Sequence, residues 1–262
     1  MKILIIGKGL IGTYLNNQIQ TSEIISSSDS FKRLKLEKFD YVVNCSFDDG
    51  FFSSDFDINS SFDSKLIKAI SRNTKYIMLS TRKVYQDNQQ WNACEFMDIN
   101  IKEINSIYGR NKYLAETFLK ENLNEENYLL LRLPNIIGLR PNKSSTKQNF
   151  FDQMYKSLLS NKCIYFDFNR HTKKDFMLAE DLAKVIKLCI NAKIKGIYNC
   201  GYGYPLECIK LAEVLMNHMG YGEIKDEKEL RDEFFLNTSK LQSKIRYPKF
   251  KGLEKGIAEI IR

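Results

Sequence analysis

The N-terminus places a glycine-rich turn directly after a short apolar run. Residues 2–6 read Lys-Ile-Leu-Ile-Ile, the pattern of a strand buried on both faces, and Gly7, Gly9 and Gly12 follow at once. Apolar residues then recur at helical spacing over residues 10–19. Gly7 permits a tight turn, Gly9 lets the backbone approach a pyrophosphate, and Gly12 lets the helix pack on the strand. This order predicts a βαβ unit that binds a dinucleotide at the helix N-terminus.

Strand-like and helix-like segments alternate along the rest of the chain. The candidate strands are residues 23–26, 41–45, 76–79, 128–133 and 197–200. The candidate helices are residues 10–20, 58–72, 108–122, 149–160, 180–191 and 207–219. The alternation predicts an α/β fold, a Rossmann-type doubly wound parallel sheet. Residues 30–39 are too few for the usual third strand and the helix before it, so we expect both to be abbreviated.

Composition narrows the class of protein. A chain of 262 residues that is 43% hydrophobic can bury a large core. No apolar run approaches the length of a membrane span and no signal peptide precedes the first strand, so we expect a cytoplasmic protein without a membrane segment. The six cysteines lack Cys-x-x-Cys spacing and a histidine partner, which predicts no metal site. The net charge of +8 suits an anionic substrate, but the lysines are dispersed, so nucleic acid is not expected as a partner.

Tyr108 and Lys112 stand four residues apart at the start of a predicted helix. They share a helix face, and a nearby ammonium lowers the pKa of a phenol, which helps it to exchange protons at neutral pH. Chance supplies about one such spacing in a chain with this many tyrosines and lysines, so a surface helix pair is the plain alternative. Thr81 lies just beyond a predicted strand, at the sheet edge where ligands bind. A glycine turn, Thr81 and Tyr-x-x-x-Lys in this order favour a catalytic site.

The chain resembles the extended short-chain dehydrogenase/reductase family of nucleotide-sugar epimerases, dehydratases and reductases. Besides the motifs above, the resemblance rests on Val84-Tyr85, Arg132-x-x-Asn135-x-x-Gly138, Lys174-Asp175-Phe176 followed by Glu180-Asp181-Leu182-Ala183, Tyr198-Asn199-Cys200-Gly201, and Asn237-Thr238-Ser239-Lys240-Leu241. It covers nearly the whole chain and implies one unit. Residues 1–138 plus about 175–200 would form the cofactor-binding lobe. Residues from about 139 to 174 and 201–262 would form a small C-terminal substrate lobe.

The resemblance implies a role for each candidate site residue. The catalytic residues would be Thr81, Tyr108 and Lys112. The cofactor-binding residues would be Gly7, Gly9, Leu10, Ile11, Gly12, Ser27, Ser28, Arg33, Cys45, Ser46, Tyr108 and Lys112, although the Cys45 side chain alone fits a core position better. The substrate residues would be Thr81, Lys83, Asn135, Asn149 and Lys174.

The residues after the second predicted strand bear on the choice between NADPH and NADH. Ser26, Ser27 and Ser28, with Lys32 and Arg33 just beyond, favour the 2′-phosphate of NADPH. The acidic residue that follows the serines, Asp29, would instead suit the 2′-hydroxyl of NADH. The two basic residues are otherwise a solvated face. NADPH is the favoured prediction, with NAD as the alternative.

Departures from the family pattern narrow the reaction. Family dehydratases carry Asp-Glu after the catalytic threonine, whereas Arg82 and Lys83 stand here. The branch that epimerises and reduces GDP-sugars uses a cysteine where Lys83 stands, and a histidine that residues 132–169 lack. Reduction of a 4-keto nucleotide sugar remains, as in the dTDP-4-dehydrorhamnose reductases, and the compact length favours it. A 4-epimerase using tightly held NAD is the alternative.

A third possibility is a cofactor-binding or RNA-binding relative without catalysis, against which the intact Thr81, Tyr108 and Lys112 count. The resemblance further implies a homodimer packed through the helices that contain Asn59 and Tyr108. It also implies a place in polysaccharide biosynthesis.

Overall fold

Six parallel strands form the central sheet of the computed structural model, which describes residues 1–29, 35–46, 48–139, 149–226 and 229–261. From one edge to the other the strands are β2 (Ser22–Ile25), β1 (Ile3–Ile6), β3 (Tyr41–Asn44), β4 (Lys75–Thr81), β6 (Tyr128–Leu133) and β10 (Gly196–Asn199). Every neighbouring pair is parallel. The predicted α/β doubly wound fold is therefore confirmed.

Helices cover both faces of this sheet. Helices α1 (Leu10–Gln18) and α5 (Ala179–Asn191) pack on one face, and α2 (Phe62–Ala69) and α3 (Ile107–Asn122) on the other. Strand β1 shows why its sequence is continuously apolar. Its odd-numbered residues enter the core on the α1 and α5 face of the sheet, and its even-numbered residues enter the core on the α2 and α3 face, so both sets are buried.

The strand order places β1 between β2 and β3. In the usual Rossmann order a further strand lies beyond the second one. In the part of the chain that the structure describes, the sheet ends at β2, and residues 30–34 of the expected abbreviation lie outside the described residues. The connections diverge at β1 and β3, and this divergence opens a crevice at their carboxyl ends.

A second, smaller set of elements packs beyond that edge. Its sheet consists of β11 (Pro205–Glu207), β9 (Lys173–Leu178) and β7 (Asn135–Ile137). A third core joins it to α4 (Phe150–Asn161), β8 (Cys163–Phe166), α6 (Cys208–Met219) and α8 (Leu253–Ile260). The remaining elements are β5 (Trp91–Ala93), β12 (Glu223–Asp226), β13 (Phe235–Leu236) and α7 (Ser239–Gln242). The division into two lobes stays a prediction.

Two local differences from the sequence expectations have physical causes. The helix expected over residues 58–72 is a 3-10 turn, Ile58–Ser60, followed by α2, because Ser61 caps the new helix by accepting a hydrogen bond from the Ser64 N–H. The elements that were not expected are β5, β7, β8, β9, β11, β12, β13, α7 and α8, most of which are too short to show a clear period. Among the described residues, no helix combines the length and apolarity needed to cross a bilayer.

Candidate active site

The carboxyl ends of β1, β3 and β4 open into one cavity of about 600 Å³. Its walls come from both sides of the crevice and include most of the motifs found in the sequence. The lining residues are Gly7, Lys8, Gly9, Leu10, Ile11, Ser26, Ser27, Asn44, Cys45, Ser46, Asp48, Phe51, Leu79, Ser80, Thr81, Tyr108, Lys112, Leu133, Pro134, Ile136 and Asn149.

The glycine turn has the geometry of a phosphate cradle. Gly7 has a φ of +109°, and a Cβ there would lie 2.7 Å from the backbone nitrogen of Ser46. A Cβ on Gly12 would lie 1.9 Å from the carbonyl oxygen of Gly7, so only glycine lets α1 pack this closely. A Cβ on Gly9 would meet nothing within 4 Å, because that position faces open space. The turn thus leaves room where a pyrophosphate would lie.

The first turn of α1 completes the cradle. Gly9 is the N-cap and offers no side-chain hydrogen bond, and the first turn contains no acidic residue. The first N–H groups of a helix have no partner within it, and the helix dipole adds positive potential there. These residues fit the diphosphate of a dinucleotide cofactor.

Gly109 sets the distance between the two predicted catalytic hydroxyls. A Cβ on Gly109 would lie 2.0 Å from the carbonyl oxygen of Lys83, so α3 approaches the turn after β4 backbone to backbone. Thr81 is the N-cap of that turn, and its Oγ1 accepts a hydrogen bond from the Lys83 N–H at 3.3 Å. The Thr81 hydroxyl proton is therefore available to a ligand. Tyr108 lies one residue before Gly109, so its side chain reaches the same cavity.

Lys112 lies at the same cavity, buried beside a carboxylate that the sequence did not reveal. Its Nζ is 3.5 Å from Oδ2 of Asp63, and the two side chains are 8% and 4% exposed. The ammonium also lies 4.4 Å from the centre of the Phe51 ring, within range of a cation–π interaction. Asp63 belongs to the first turn of α2, so the ion pair joins α2 to α3.

The pKa of Tyr108 differs from the sequence expectation. Burial raises the pKa of the phenol above its ordinary value, Lys112 lowers it, and Asp63 raises it again. The expected effect of the lysine is present, but burial outweighs it. Two rings contribute to this burial. Phe52 stacks on Tyr108 with centroids 4.9 Å apart, and Phe51 meets its edge at 6.4 Å.

The predicted cofactor residues are distributed unevenly around the cavity. Cys45 and Ser46 line it after β3, and Ser27 lines it after β2. Burial raises the pKa of Cys45 to about 12, so its thiol stays protonated at neutral pH. Ser28 does not line the cavity, is exposed and hydrogen-bonds the Ser26 side chain at 2.8 Å. Arg33, like Lys32, lies outside the described residues.

The predicted substrate residues separate into two groups. Asn149 lines the cavity, but its side chain also caps α4, accepting from the Asp152 N–H at 2.7 Å and donating to the Gly138 carbonyl at 3.0 Å. Lys83, Asn135 and Lys174 do not line it.

A second charged cluster surrounds Asp232. Its carboxylate lies 3.1 Å from the Arg82 guanidinium and 3.5 Å from Lys174 Nζ. The Lys174 ammonium lies 3.8 Å from the Phe168 ring centre. Burial lowers the pKa of Lys83, and Arg82 and Lys174 lower it further, whereas Asp232 raises it. Arg82 and Lys174 therefore share one carboxylate, while Lys83 lies nearby and Asp87 also acts on Arg82 and Lys83. These three cations and two carboxylates leave a net positive charge that suits an additional anion.

Sequence reasoning missed Asp63, Gly109 and Asp232. Gly109 carries a signal, because a glycine inside an otherwise regular helix often marks a close backbone contact. Asp63 follows a helix cap, where an acidic residue is commonplace, and Asp232 stands far along the chain from its partners. The pairing of these carboxylates is visible only in three dimensions.

A sequence model of the "NAD dependent epimerase/dehydratase family" matches residues 3–201, about three quarters of the chain. The chain belongs to the NAD dependent epimerase/dehydratase family. The match spans the glycine turn, Thr81, Tyr108 and Lys112. The resemblance that the sequence motifs indicated is thus confirmed. Members of this family are NAD(P)-dependent nucleotide-sugar enzymes.

Solved structures of similar fold carry several activities. A UDP-N-acetylglucosamine 4-epimerase from Methanobrevibacter ruminantium M1 is 19% identical in sequence, and the alignment covers 99% of this chain and 96% of the epimerase chain, with a TM-score of 0.79. An ADP-L-glycero-D-manno-heptose-6-epimerase from Helicobacter pylori is 18% identical over 99% and 94%, with a TM-score of 0.81. A dTDP-4-dehydrorhamnose reductase from Clostridium acetobutylicum is 17% identical over 100% and 98%, with a TM-score of 0.70. At these identities the likeness establishes for this family member a shared fold and leaves the reaction open.

Proposed function

We propose that the protein reduces the 4-keto group of a nucleotide-activated sugar with NADPH or NADH. The observation that carries this proposal is the convergence of Thr81, Tyr108 and Lys112 on one cavity with the glycine turn. Dinucleotide and carbonyl substrate can therefore meet at the same hydroxyl groups. NADPH remains the favoured cofactor in this proposal. Among the described residues its support is the group of serines after β2, because Arg33 lies outside them.

Each catalytic side chain has a distinct task in this proposal. When bound, the reduced nicotinamide supplies the hydride. Tyr108 gives its phenolic proton to the carbonyl oxygen as that oxygen gains negative charge. Thr81 donates a hydrogen bond to the same oxygen while its Oγ1 accepts from the Lys83 N–H. Lys112 holds the cofactor ribose and offsets the charge left on Tyr108 once its proton has gone.

The protonated state of Tyr108 agrees with the proposed reduction. A reductase starts with the phenol protonated, and burial holds the pKa of Tyr108 above its ordinary value. The second acid–base pair of a dehydratase is replaced by Arg82 and Lys83. Chain length does not separate the activities, since a 4-epimerase and a reductase are covered over 96% and 98% of their lengths.

The cluster around Asp232 supports an anionic substrate. Arg82 and Lys174 have exposed fractions of only 8% at their side chains, so their charges act in a partly dehydrated environment. A diphosphate or another anionic group would satisfy their excess charge.

We also propose a homodimer packed through α2 and α3. On α3 the apolar side chains of Ile107 and Leu114 are 39% and 37% exposed.

Replacement of Tyr108 by phenylalanine tests the proposal. In an assay that follows NADPH and NADH oxidation with dTDP-, UDP- and GDP-4-keto sugars, we expect Tyr108→Phe to lower kcat about 10²- to 10⁴-fold. Tyr113→Phe, on the same helix but away from the cavity, is the control and should retain turnover. Equal activity of the two variants would rule out Tyr108 as the proton donor.

The nucleotide carried by the purified protein tests the reaction class separately. Denatured protein should release substoichiometric nucleotide, because a reductase exchanges its cofactor every turnover. Stoichiometric NAD together with interconversion of a sugar and its epimer, without net oxidation of the cofactor, would contradict reduction in favour of 4-epimerisation.

A further inference from the structure

Asp63 is a buried carboxylate held from several sides. Oδ1 accepts hydrogen bonds from Nδ2 of Asn44 at 2.8 Å and from the phenol of Tyr76 at 2.5 Å. Oδ2 faces Lys112 Nζ at 3.5 Å. With all three partners in place, both carboxylate oxygens are occupied, and Asp63 has one arrangement within the α2–α3 interface.

The partners of Asp63 are themselves tied to the cavity. Asn44 ends β3 and accepts through Oδ1 from the Ser46 N–H at 3.0 Å and from its hydroxyl at 2.5 Å. Asn44, Ser46 and Lys112 all line the cavity, whereas Asp63 lies behind them. Hydrogen bonds from Ser46 through Asn44 to Asp63, followed by the ion pair of Asp63 with Lys112, thus connect one wall of the cavity to the predicted catalytic lysine.

We propose that Asp63 is a positioning residue, which anchors the Lys112 ammonium and limits how strongly that ammonium draws Tyr108 towards its phenolate. This inference rests on the proposed role of Tyr108 as proton donor. A lysine ammonium has three N–H donors. One directed at Asp63 leaves two for the cofactor ribose and for the field at Tyr108.

The charges around Tyr108 explain the direction of the effect. Besides burial, two charged groups that act on its pKa are Lys112, which lowers it, and Asp63, which raises it. On the far side, Asp63 contacts Tyr76, whose own pKa is raised well above its ordinary value by burial and by Asp63, with a further contribution from Cys45. The carboxylate partly neutralises the lysine and so keeps the phenol protonated until a carbonyl oxygen demands the proton.

Titration of Tyr108 tests this proposal without cofactor or substrate. Tyrosine is isotope-labelled at the ring carbon that bears oxygen, and the Tyr108 signal is identified by its loss in Tyr108→Phe. In Asp63→Asn we expect the pKa of Tyr108 to fall by on the order of one unit, because Lys112 then acts unopposed. Tyr76→Phe keeps the carboxylate and removes one hydrogen bond, so it should leave the Tyr108 pKa within a few tenths of a unit of the unaltered protein.

Two results would overturn the proposal. One is an unchanged Tyr108 titration in folded Asp63→Asn, and the other is an equal shift in Tyr76→Phe, which would reveal a merely structural effect. If Asp63→Asn does not fold, the labelled Lys112 ammonium of the unaltered protein decides. A signal whose protons exchange slowly with water supports the buried pair, and fast exchange contradicts it.

The kinetic consequence separates this proposal from the proposed function. With a 4-keto sugar that the protein reduces, kcat can be measured against pH. The alkaline limb of this profile should move to lower pH in Asp63→Asn by the same amount as the Tyr108 titration. A titration shift in a protein that turns over no keto sugar would leave Asp63 as a positioning residue and disprove the reductase. Turnover with no titration shift would do the reverse.

Discussion

Lys112 and Lys174 form ion pairs of equal length in two regions built differently. Each ammonium lies 3.5 Å from an aspartate, and each lysine side chain is 8% exposed. The carboxylates differ, since Asp63 is 4% exposed and Asp232 is 49% exposed. In the Rossmann sheet region one lysine is matched to one locked carboxylate. Around Asp232 the carboxylate is half exposed and is shared with Arg82.

This difference indicates two uses of a buried lysine. The pair in the sheet region is a fixed part of the catalytic geometry, because both partners are withdrawn from water. The cluster around Asp232 has surplus positive charge and a carboxylate that is half exposed to water. Although burial raises the pKa of Asp232, Arg82 and Lys174 hold it below its ordinary value. Asp232 is therefore an internal counter-ion that a substrate anion would have to displace or accommodate.

The largest contrast between the regions should appear in stability. Lys112→Met leaves Asp63 buried without its cation, and we expect the free energy of unfolding to fall by about 3–5 kcal/mol. Lys174→Met leaves Asp232 with Arg82 and water, for an expected loss of about 0–1 kcal/mol. Urea unfolding of both variants at neutral pH measures the contrast. Similar losses would show that the exposure of the carboxylate does not govern the two pairs.

Asp175 sharpens the comparison, because it is a fully buried carboxylate whose Oδ2 accepts from the Leu236 N–H at 3.3 Å while its Oδ1 has no hydrogen-bond partner among the described residues. Burial raises its pKa from 3.8 to about 7, with the N–H groups of Leu236, Gly203, Tyr202 and Phe176 acting in the opposite direction. The folded state holds the Asp175 proton more tightly than the unfolded state does, so protonation of Asp175 stabilises the fold. This contribution to the free energy of unfolding is complete below about pH 4. It is lost as the pH rises through about 7, by up to about 4 kcal/mol.

Unfolding measured against pH tests this expectation. Asp175→Asn cannot ionise, so the difference in unfolding free energy between it and the unaltered protein should change across that window and level off above pH 8. A constant difference from pH 4 to pH 8 would contradict the raised pKa.

The smallest expected effect concerns anion binding at the cluster. With inorganic pyrophosphate as the probe, Asp232→Asn should tighten binding about fivefold, since about 1 kcal/mol of internal ion pairing no longer competes. Lys174→Met should weaken it by a similar factor, more at low salt than at high salt. Lys156→Met, at an exposed position of α4, controls for net charge. Calorimetry that finds all three variants alike would remove the cluster as an anion site.

The sequence was most informative where backbone geometry restricts the residue type. Gly7, Gly9 and Gly12 predicted the cofactor turn because only glycine fits two of these positions and the third must remain open. Helical spacing likewise predicted that Tyr108 and Lys112 share a face. Such features depend on neighbours along the chain, which a sequence displays directly.

Features that depend on distant neighbours were hidden. The pKa of Tyr108 follows from burial and from Asp63, which lies 45 positions earlier in the numbering of the chain. Lys83 and Lys174 stay predicted substrate contacts, and the structure groups them with Asp232 outside the cavity lining, which the sequence did not indicate. Charges reveal their partners only when the chain is folded, because any lysine can pair with any carboxylate in a sequence.

The close approach at Gly109 has a consequence for how this molecule tolerates change. The spacing between the Thr81 turn and the Tyr108 helix is set by main-chain atoms in contact, with no intervening side chain to act as a spacer. Substitutions on the outer surface of α3 therefore have little leverage on the alignment of the two hydroxyls. A single added methyl group at residue 109 would act as a wedge and spread them apart.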